Sequence, residues 1–356
     1  MNIDLTNTTT RKVLDALSAA RHRMGGPATG KVLTLVVLTE EASQYDAVRA
    51  STEAAREHPC RIIVVIARSP GGESRLDAEV RVGETGPGET VVLRLYGQLI
   101  EHADSVVLPL LVPDTPVVAW WPGIAPDRPA EEPLGALAQR RVTDAKGGSD
   151  PLGTLNRLAE AYVPGDTDFA WTRITGWRTL LAATLDQPHD DITGACVEAD
   201  PKNPSAALLA AWLSVRLAVP CTVAESHGPG ITGVRLTTTA GDIAITRPDG
   251  RVATLSRPEQ PDRQVALHRR PTSELLAEEL RRLDPDEVYR DAVLRYAKGL
   301  GEPAEAKEAG AEAKEAGGEA KEAGGEAKEA GGEAEQTPEA AAAPAKAPRG
   351  GRGKKS

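Results

Sequence analysis

Two runs of consecutive apolar residues flank a stretch of helical spacing near the start of the chain. Residues 32–38 (VLTLVVL) and 61–67 (RIIVVIA) have the length of a strand, and such uninterrupted apolar runs are typical of strands buried on both faces. Residues 43–57 between them place Tyr45 and Val48 on one side of a helix, which Pro59 ends. The pattern predicts a β-α-β unit with parallel strands, because such a pair needs a crossover of this length.

Further elements follow from the same periodicities. A helix is predicted over 9–23, and residues 75–82 and 90–96 alternate apolar and polar side chains like strands with one wetter face. A short helix is expected within 97–111, and PVVAWW at 116–121 reads as another strand. The second half of the chain repeats the mixture of helices and strands. Its predicted helices are 170–186, 204–218, 272–283 and 285–298, and its predicted strands are 191–198, 221–226, 231–238, 242–247 and 251–256.

These elements predict an α/β fold with two domains, each holding a mixed sheet built around a β-α-β unit. Proline-rich and glycine-rich segments after residue 125 suggest the boundary between them. We expect an N-terminal domain over 1–145, a linker over 146–168 and a C-terminal domain over 169–300.

Residues 301–356 have a different composition and are predicted to form a disordered tail. A heptad close to EAKEAGG recurs from Glu305, and it combines helix-forming residues with glycines that interrupt a helix. No repeat carries a large apolar side chain, so the tail offers no seam for a coiled coil. A short basic end follows, with cations at Lys346, Arg349, Arg352, Lys354 and Lys355. Binding of nucleic acid through this end is one alternative function that the sequence leaves open.

Charge and composition narrow the class of protein. The net charge of −10 argues against a general nucleic-acid-binding face or an anionic membrane surface as partner. Three cysteines are too few for a disulfide framework, and no apolar run reaches the length of a membrane span. The first residues also lack the pattern of a secretory signal. We therefore expect a cytoplasmic protein.

Short motifs give little support for catalysis. Residues 25–31 match GxxxxGK, but the predicted order of helix, loop and strand is wrong for a phosphate-binding loop. Residues 83–88 are glycine-rich, yet they lead into another strand and read as a turn. The histidines and cysteines lack metal-ligand spacing. We predict buried, inert thiols at Cys60, Cys196 and Cys221, with a Cys196–Cys221 redox pair on neighbouring strands as the alternative. No catalytic residue, metal site or cofactor is predicted.

The few aromatic residues are concentrated in one part of the chain. Only 3% of residues are aromatic, yet all five tryptophans fall between 120 and 212. Trp171, Ile174, Trp177 and Leu181 share one helical face, which favours a place in the core. Trp120 and the residue after it point to opposite faces of a strand, so either one can also serve as a partner contact.

Two distinctive segments contain four of these tryptophans, LPLLVPDTPVVAWWPG (108–123) and DTDFAWTRITGWRTLLAATLD (166–186), and KVLTLVVLTEE and HPCRIIVVIAR lie earlier in the chain. Together these segments resemble the OpcA family of glucose-6-phosphate dehydrogenase assembly proteins, in its actinobacterial form. The resemblance spans roughly residues 5–300. Gly176 stands where family members often carry proline, and the cysteines do not match those of the redox-controlled cyanobacterial branch.

The resemblance implies a non-catalytic protein that binds glucose-6-phosphate dehydrogenase and promotes its active oligomer. Such a protein supports NADPH production by the oxidative pentose phosphate pathway. Candidate partner-binding or family-signature residues are Asp114, Pro116, Trp120, Trp121, Trp171, Arg173, Trp177 and Arg178. An alternative of another class is a sugar-phosphate-binding enzyme or sensor. Its phosphate ligands would be Arg173, Arg178, Arg281 and Arg282.

Overall fold

Six parallel strands form the centre of the first sheet in a computed structural model that describes residues 1–24, 30–83 and 88–299. In chain order the strands of this sheet are β1 Asn2–Leu5, β2 Leu33–Thr39, β3 Cys60–Ala67, β4 Arg75–Val82, β5 Glu89–Tyr96, β6 Val117–Trp120, β7 Arg140–Thr143 and β8 Asp166–Asp168. They lie in the order β1-β4-β5-β3-β2-β6-β7-β8. The six neighbouring strands β5, β3, β2, β6, β7 and β8 are parallel to one another. At one edge β4 pairs antiparallel with β5, and β1 pairs antiparallel with β4.

The parallel strands follow the order of a doubly wound α/β sheet. Counted along the chain, the third, second and first parallel strands lie on one side, and the fourth, fifth and sixth lie on the other. The direction of winding therefore reverses between β2 and β6, and a crevice beyond the carboxyl ends of the strands forms at such a point.

The second sheet is also mixed. Its strands are β9 Ile192–Ala199, β10 Cys221–Glu225, β11 Ile231–Thr238, β12 Gly241–Thr246, β13 Val252–Arg257 and β14 Gln260–Ala266, in the order β10-β9-β11-β12-β13-β14. Strands β9 and β10 are parallel, and the other pairs are antiparallel. The predicted α/β class is confirmed, with a parallel β-α-β unit within each mixed sheet.

Helices cover both sheets. They are α1 Thr10–Met24, α2 Gln44–Ala54, α3 Ala103–Val107, α4 Pro151–Glu160, α5 Phe169–Thr172, α6 Thr175–Leu185, α7 Pro204–Leu217, α8 Thr272–Arg281 and α9 Glu287–Ala297. Helices α1 and α3 contribute to the core on one face of the first sheet, and α2 and α8 contribute to the core on its other face. Helices α4, α6, α7 and α9 pack in the core of the second sheet. Within the described ranges, every helix is too short or too polar to cross a lipid bilayer.

Four strands and one helix of the structure were not predicted from the sequence pattern. Strand β7 begins with two arginines and β8 reads Asp-Thr-Asp, so neither shows an apolar period. Strand β1 has only four residues, and β14 is a polar edge strand. Helix α4 and β8 occupy the stretch 146–168 that was expected to be a linker. The division into two domains stays a prediction, and the predicted tail lies outside the described residues.

Helix α2 faces the core through smaller side chains than the sequence analysis expected. Tyr45 is 76% exposed, whereas Ala47, Ala50, Ser51 and Ala54 are buried. Their short side chains allow α2 to pack closely against the sheet and against α8. The inward position expected for Tyr45 is therefore wrong, because a face of alanines buries less area per residue but permits closer packing.

Candidate functional site

A cavity of about 380 Å³ opens at the start of α7, and most of its charged lining residues are cations. We call it the basic cavity. The turn around 228–231 and the segment 268–270 after β14 form further parts of its wall. Its charged and titratable lining residues are Lys146, Arg173, Asp200, Lys202, Arg247, His268, Arg269 and Arg270. Six of these are lysine or arginine and one is a carboxylate, so the cavity is positive although the chain has a net charge of −10.

Arg247 is the most deeply buried cation of the basic cavity. It is 5% exposed, and its guanidinium donates hydrogen bonds to the carbonyl oxygens of Leu267 (2.9 Å) and Ile231 (3.0 Å). The guanidinium carbon lies 4.9 Å from the centre of the Trp177 ring. Burial, followed by the charge of nearby Arg269, lowers the pKa of Arg247. Among the described residues no carboxylate forms an ion pair with it.

Other cations of the cavity divide into paired and unpaired groups. Arg173 forms a two-pronged ion pair with Asp144, at 2.7 and 2.6 Å, and Arg270 pairs with Glu278. Lys146, Lys202 and Arg269 form no ion pair with any residue that the structure describes. Partial burial and then the charges of Arg173 and Arg269 lower the pKa of Lys146, which indicates cations crowded together.

Helix α7 adds its positive end to the cavity. Asn203 caps the helix by accepting a hydrogen bond from the Ser205 amide (3.0 Å), and Pro204 occupies the first helical position. These residues consume or remove the first amide donors, so α7 contributes its dipole rather than free N–H groups.

The crevice at the switch point of the first sheet has the opposite character. It encloses about 490 Å³ beyond the carboxyl ends of β2 and β3, and Glu40 and Ser43 line it. A dinucleotide-binding crevice needs glycines here, where the backbone approaches a pyrophosphate. The chain instead reads Thr-Glu-Glu-Ala-Ser after β2, and Glu41 forms ion pairs with Arg94 (3.0 Å) and Arg68 (3.2 Å). Carboxylates at this position repel a phosphate group.

The four signature tryptophans are all buried. Trp120, Trp121, Trp171 and Trp177 are each at most 5% exposed. As expected from a strand, Trp120 and Trp121 point to opposite faces of the first sheet and belong to different core clusters. The core position predicted for Trp171 and Trp177 is confirmed, and none of the four presents a ring to solvent.

Arg178 belongs to a separate buried cluster. Its guanidinium lies over the Trp171 ring at 3.7 Å, and burial lowers its pKa. The indole N–H of Trp171 donates to Asp286 (2.9 Å), which also caps α9. This cluster fastens α5 and α6 to α9.

A second polar cluster lies beneath Arg173. Asp168 is fully buried and accepts hydrogen bonds from the Thr143 hydroxyl (2.6 Å) and from the amides of Ala145 (2.9 Å) and Ala170 (2.7 Å). Burial, followed by the charge of Asp144, raises the pKa of Asp168 to about 6. These interactions join β7 and β8 to the start of α5. The Asp-Thr-Asp sequence of β8 carries no hydrophobic signal for this arrangement.

Asp114 and Pro116 lie in the turn before β6. Asp114 is exposed and has a left-handed backbone conformation, with φ +55°. Its carboxylate contacts no hydrogen-bond or ion-pair partner among the described residues. Pro116 is partly buried, and its carbonyl accepts from the Thr34 amide of β2 (2.9 Å). Of the signature residues, Asp114 is thus the one with an exposed side chain.

The three cysteines are free, and the register of β9 and β10 separates two of them. Cys221 pairs with Ala195, so the side chain of Cys196 points to the opposite face of the sheet. The alternative of a Cys196–Cys221 redox pair is therefore wrong for this structure. Burial raises the pKa of Cys60 and of Cys221 to about 12, as expected for inert thiols. Cys196 is only partly buried, so the buried position predicted for it is wrong.

The four arginines of the sugar-phosphate alternative do not come together. Arg173 lines the basic cavity, but Arg178 is partly buried and stacks on the Trp171 ring. Arg281 and Arg282 are exposed near the end of α8, where they pair with Glu57 (3.7 Å) and Asp284 (3.9 Å). The GxxxxGK and glycine-rich segments fall largely outside the described residues. No cluster of three or more metal-binding side chains occurs in the described part of the chain.

The first sheet is doubly wound, the second sheet is mixed, and the loop after β2 at the switch point has no glycine. These features define a class: an α/β protein that has a doubly wound sheet but lacks the dinucleotide fingerprint. Sequence comparison gives the family. The model described as glucose-6-phosphate dehydrogenase subunit N-terminal domain matches residues 51–160, and that of the C-terminal domain matches 164–293. The chain belongs to this OpcA family of glucose-6-phosphate dehydrogenase assembly proteins.

A curated relative and several solved structures show further similarity. The relative is the "Putative OxPP cycle protein OpcA" of Synechocystis sp., 25% identical over 197 residues, which are 50% of this chain and 41% of the relative. The chain thus spans less than half of that relative's length. KijD10, a 3-ketoreductase from Actinomadura kijaniata, matches 74% of this chain and 94% of its own, with 12% identity and a TM-score of 0.42. An NAD-binding oxidoreductase from Klebsiella pneumoniae matches 76% and 95%, with 8% identity and a TM-score of 0.40.

Proposed function

We propose that this protein is a cytoplasmic assembly factor that binds glucose-6-phosphate dehydrogenase and promotes its active oligomer, and thereby supports NADPH production in the oxidative pentose phosphate pathway. The match of both family domains over 51–160 and 164–293 is the observation that carries this proposal. The name of the Synechocystis relative refers to the same pathway and supports the proposal.

A non-catalytic role is part of the proposal. The switch-point crevice is where a doubly wound sheet ordinarily holds a dinucleotide. Here Glu40 lines it and Glu41 is held in place by Arg94 and Arg68, so the loop after β2 is acidic and lacks the glycines that bring backbone amides to a pyrophosphate. This supports a protein that retains the architecture without using it for hydride transfer.

Activation follows from differential affinity. A protein that binds the active assembly of the dehydrogenase more tightly than the inactive one shifts the equilibrium towards the active assembly. An assembly factor therefore needs a firm contact surface rather than a reactive group. The buried tryptophans fit this requirement, because they hold the strands and helices beneath the surface in one arrangement.

Among the signature residues we assign the direct contact to Asp114. Its carboxylate is exposed and without a partner in the described residues, and its left-handed backbone holds the turn in one conformation. Trp120, Trp121 and Trp177 act through the core, since their rings do not reach solvent.

The test is to titrate the full-length protein into the glucose-6-phosphate dehydrogenase of the same organism. We expect a rise in the rate of NADPH formation together with an increase in mass by light scattering. The Asp114→Asn variant keeps the turn, because asparagine tolerates a left-handed backbone. It should weaken binding by about tenfold, as expected for a contact worth about 1.4 kcal/mol.

Asp262→Asn is the matched control, because Asp262 is an exposed carboxylate on β14 whose side chain also forms no hydrogen bond with described residues. It removes the same charge and should leave binding within about twofold of the wild type. An unchanged rate and an unchanged mass on mixing would contradict the proposed function. If the two variants lose the same binding affinity, the contact assigned to Asp114 is wrong, but the proposed function is not contradicted.

A further inference from the structure

We propose that the basic cavity is a binding site for a phosphorylated small molecule, held by Lys146, Lys202, Arg247 and Arg269. The proposal concerns this protein by itself and does not depend on its interaction with the dehydrogenase.

The first argument is an excess of unpaired positive charge. Arg173 and Arg270 are neutralised by Asp144 and Glu278, but the four proposed ligands lack an ion-pair partner within the described ranges. The single lining carboxylate, Asp200, accepts a hydrogen bond from the amide of Lys202 (2.8 Å). Like charges that line one cavity repel each other, and a bound anion removes this repulsion.

The second argument is the state of Arg247. A buried guanidinium without a carboxylate is costly, and proteins ordinarily compensate such a charge with a partner. The two carbonyl bonds and the Trp177 ring hold the group in place, while its Nε atom is buried without a hydrogen-bond partner among the described residues. Since Arg247 lines the cavity, an anion bound there supplies the missing counter-charge.

The local backbone orients the Arg247 guanidinium at the wall of the cavity. Gly230 has φ +88°, a conformation that side chains disfavour, and a Cβ at this position would lie 3.9 Å from Nη2 of Arg247. Ile231, the next residue, provides one of the two carbonyl groups that orient the guanidinium. The glycine therefore allows the turn that places the Ile231 carbonyl against the Arg247 guanidinium.

The chemistry of the lining favours a phosphate over a simple carboxylate. A phosphate monoester carries about −1.5 to −2 charges at pH 7 and offers three acceptor oxygens, which matches several convergent cations. The positive end of α7 favours an anion of this kind at the same place. A cavity of about 380 Å³ lies within the range of small-molecule sites.

The experiment measures binding to the full-length protein alone by isothermal titration calorimetry. The probes are glucose 6-phosphate, fructose 1,6-bisphosphate, AMP and inorganic phosphate, with glucose and citrate as comparisons without phosphate. At least one phosphorylated probe should bind with a Kd below about 1 mM and at least about tenfold more tightly than glucose or citrate. The affinity should fall as salt is raised, because screening weakens the attraction.

Two double variants make the test specific to the cavity. Lys202→Ala with Arg269→Ala removes two exposed cations from the rim, neither of which forms an ion pair with described residues. Arg281→Ala with Arg282→Ala removes the same charge from the exposed end of α8. The first should lower affinity by at least about tenfold and the second by less than about twofold, while both keep the melting temperature of the wild type.

Four outcomes would overturn the proposal. The first is the absence of binding to every phosphorylated probe at millimolar concentration, and the second is tighter binding of citrate than of any of them. The third is an equal loss of affinity in the two double variants. The fourth is that the double variant Lys202→Ala with Arg269→Ala binds every probe as tightly as the wild type but no longer binds the dehydrogenase. In that case the basic cavity is a protein-docking surface and the proposed small-molecule site is wrong.

Discussion

Asp168 shows how much a single buried side chain contributes to the centre of this fold. It lies at the end of a strand of only three residues and satisfies three donors from β7, the following turn and α5. The donors offset part of the cost of burying the carboxylate, but burial still raises its pKa to about 6. The group is therefore protonated in the native state at pH values where it is ionised in the unfolded chain.

The raised pKa of Asp168 predicts a loss of stability with rising pH. The native carboxyl binds more protons than the unfolded one between pH 3.8 and about pH 6, so its stabilising contribution is full below this window and is lost above it. Between pH 4 and pH 7 the free energy of unfolding of the wild type should fall relative to Asp168→Asn. The expected change is on the order of 2–3 kcal/mol.

Urea unfolding of both proteins across this range measures the difference directly. Asp262→Asn serves as the control, because it removes an exposed carboxylate that forms no hydrogen bond with described residues. A difference between the wild type and Asp168→Asn that stays constant, or that grows in favour of the wild type as pH rises, contradicts the assignment.

At the scale of elements, α8 is attached to the first sheet by both apolar and charged contacts. Leu275, Leu276 and Leu280 pack in the core beside α2. Glu279 from the same helix is 4% exposed and accepts hydrogen bonds from Arg140 of β7 and from the Thr172 hydroxyl of α5. A charged strand is thus buried because a helix distant in sequence supplies its counter-ion.

Glu279→Gln should destabilise the protein by about 3 kcal/mol or more, because it leaves the buried guanidinium of Arg140 without an anionic partner. Glu274→Gln is the matched control on the same helix. The Glu274 side chain is half exposed, and His268 lies 3.9 Å away. The control should change the free energy of unfolding by less than about 0.5 kcal/mol. Urea unfolding measures both changes. A similar loss of unfolding free energy in the two variants would contradict the stabilising role of the buried ion pair between Arg140 and Glu279.

At the scale of the whole molecule, the heptad repeats lack the large apolar side chains that the described elements use for packing. Residues 301–356 contain no large apolar side chain, whereas α9 packs against α7 and α4 and buries Tyr289, Ala292 and Val293 in the core. Apolar area removed from water is the main source of folding free energy. The stability of the molecule should therefore depend on α9 and not on the repeats.

A chain that ends at residue 300 should unfold within about 2 °C of the full-length protein. A chain that ends at residue 285, and so lacks α9, should lose its cooperative transition or melt more than about 10 °C lower. Circular dichroism during heating distinguishes these outcomes. A large drop in melting temperature on removal of the tail alone would contradict the prediction from its composition.

The sequence by itself determined the elements whose burial follows a regular period. The apolar runs of β2 and β3, the alternation of β4 and β5, and the helical face with Trp171 and Trp177 were all predicted from local pattern. The resemblance at 108–123 and 166–186 led to the family, since both segments are distinctive in one chain. The α/β class with a β-α-β unit in each sheet followed from the order of these elements.

Only the tertiary structure decided where polar residues are buried and which cations converge. Strands β7 and β8 have no apolar period, because their burial depends on ion pairs and hydrogen bonds with α8 and α5. The basic cavity combines residues from 146 to 270, and its charge arises because the pair Arg269 and Arg270 converges in space with cations that are distant along the chain. Local periodicity records which face of an element is apolar, whereas a site depends on how several elements meet.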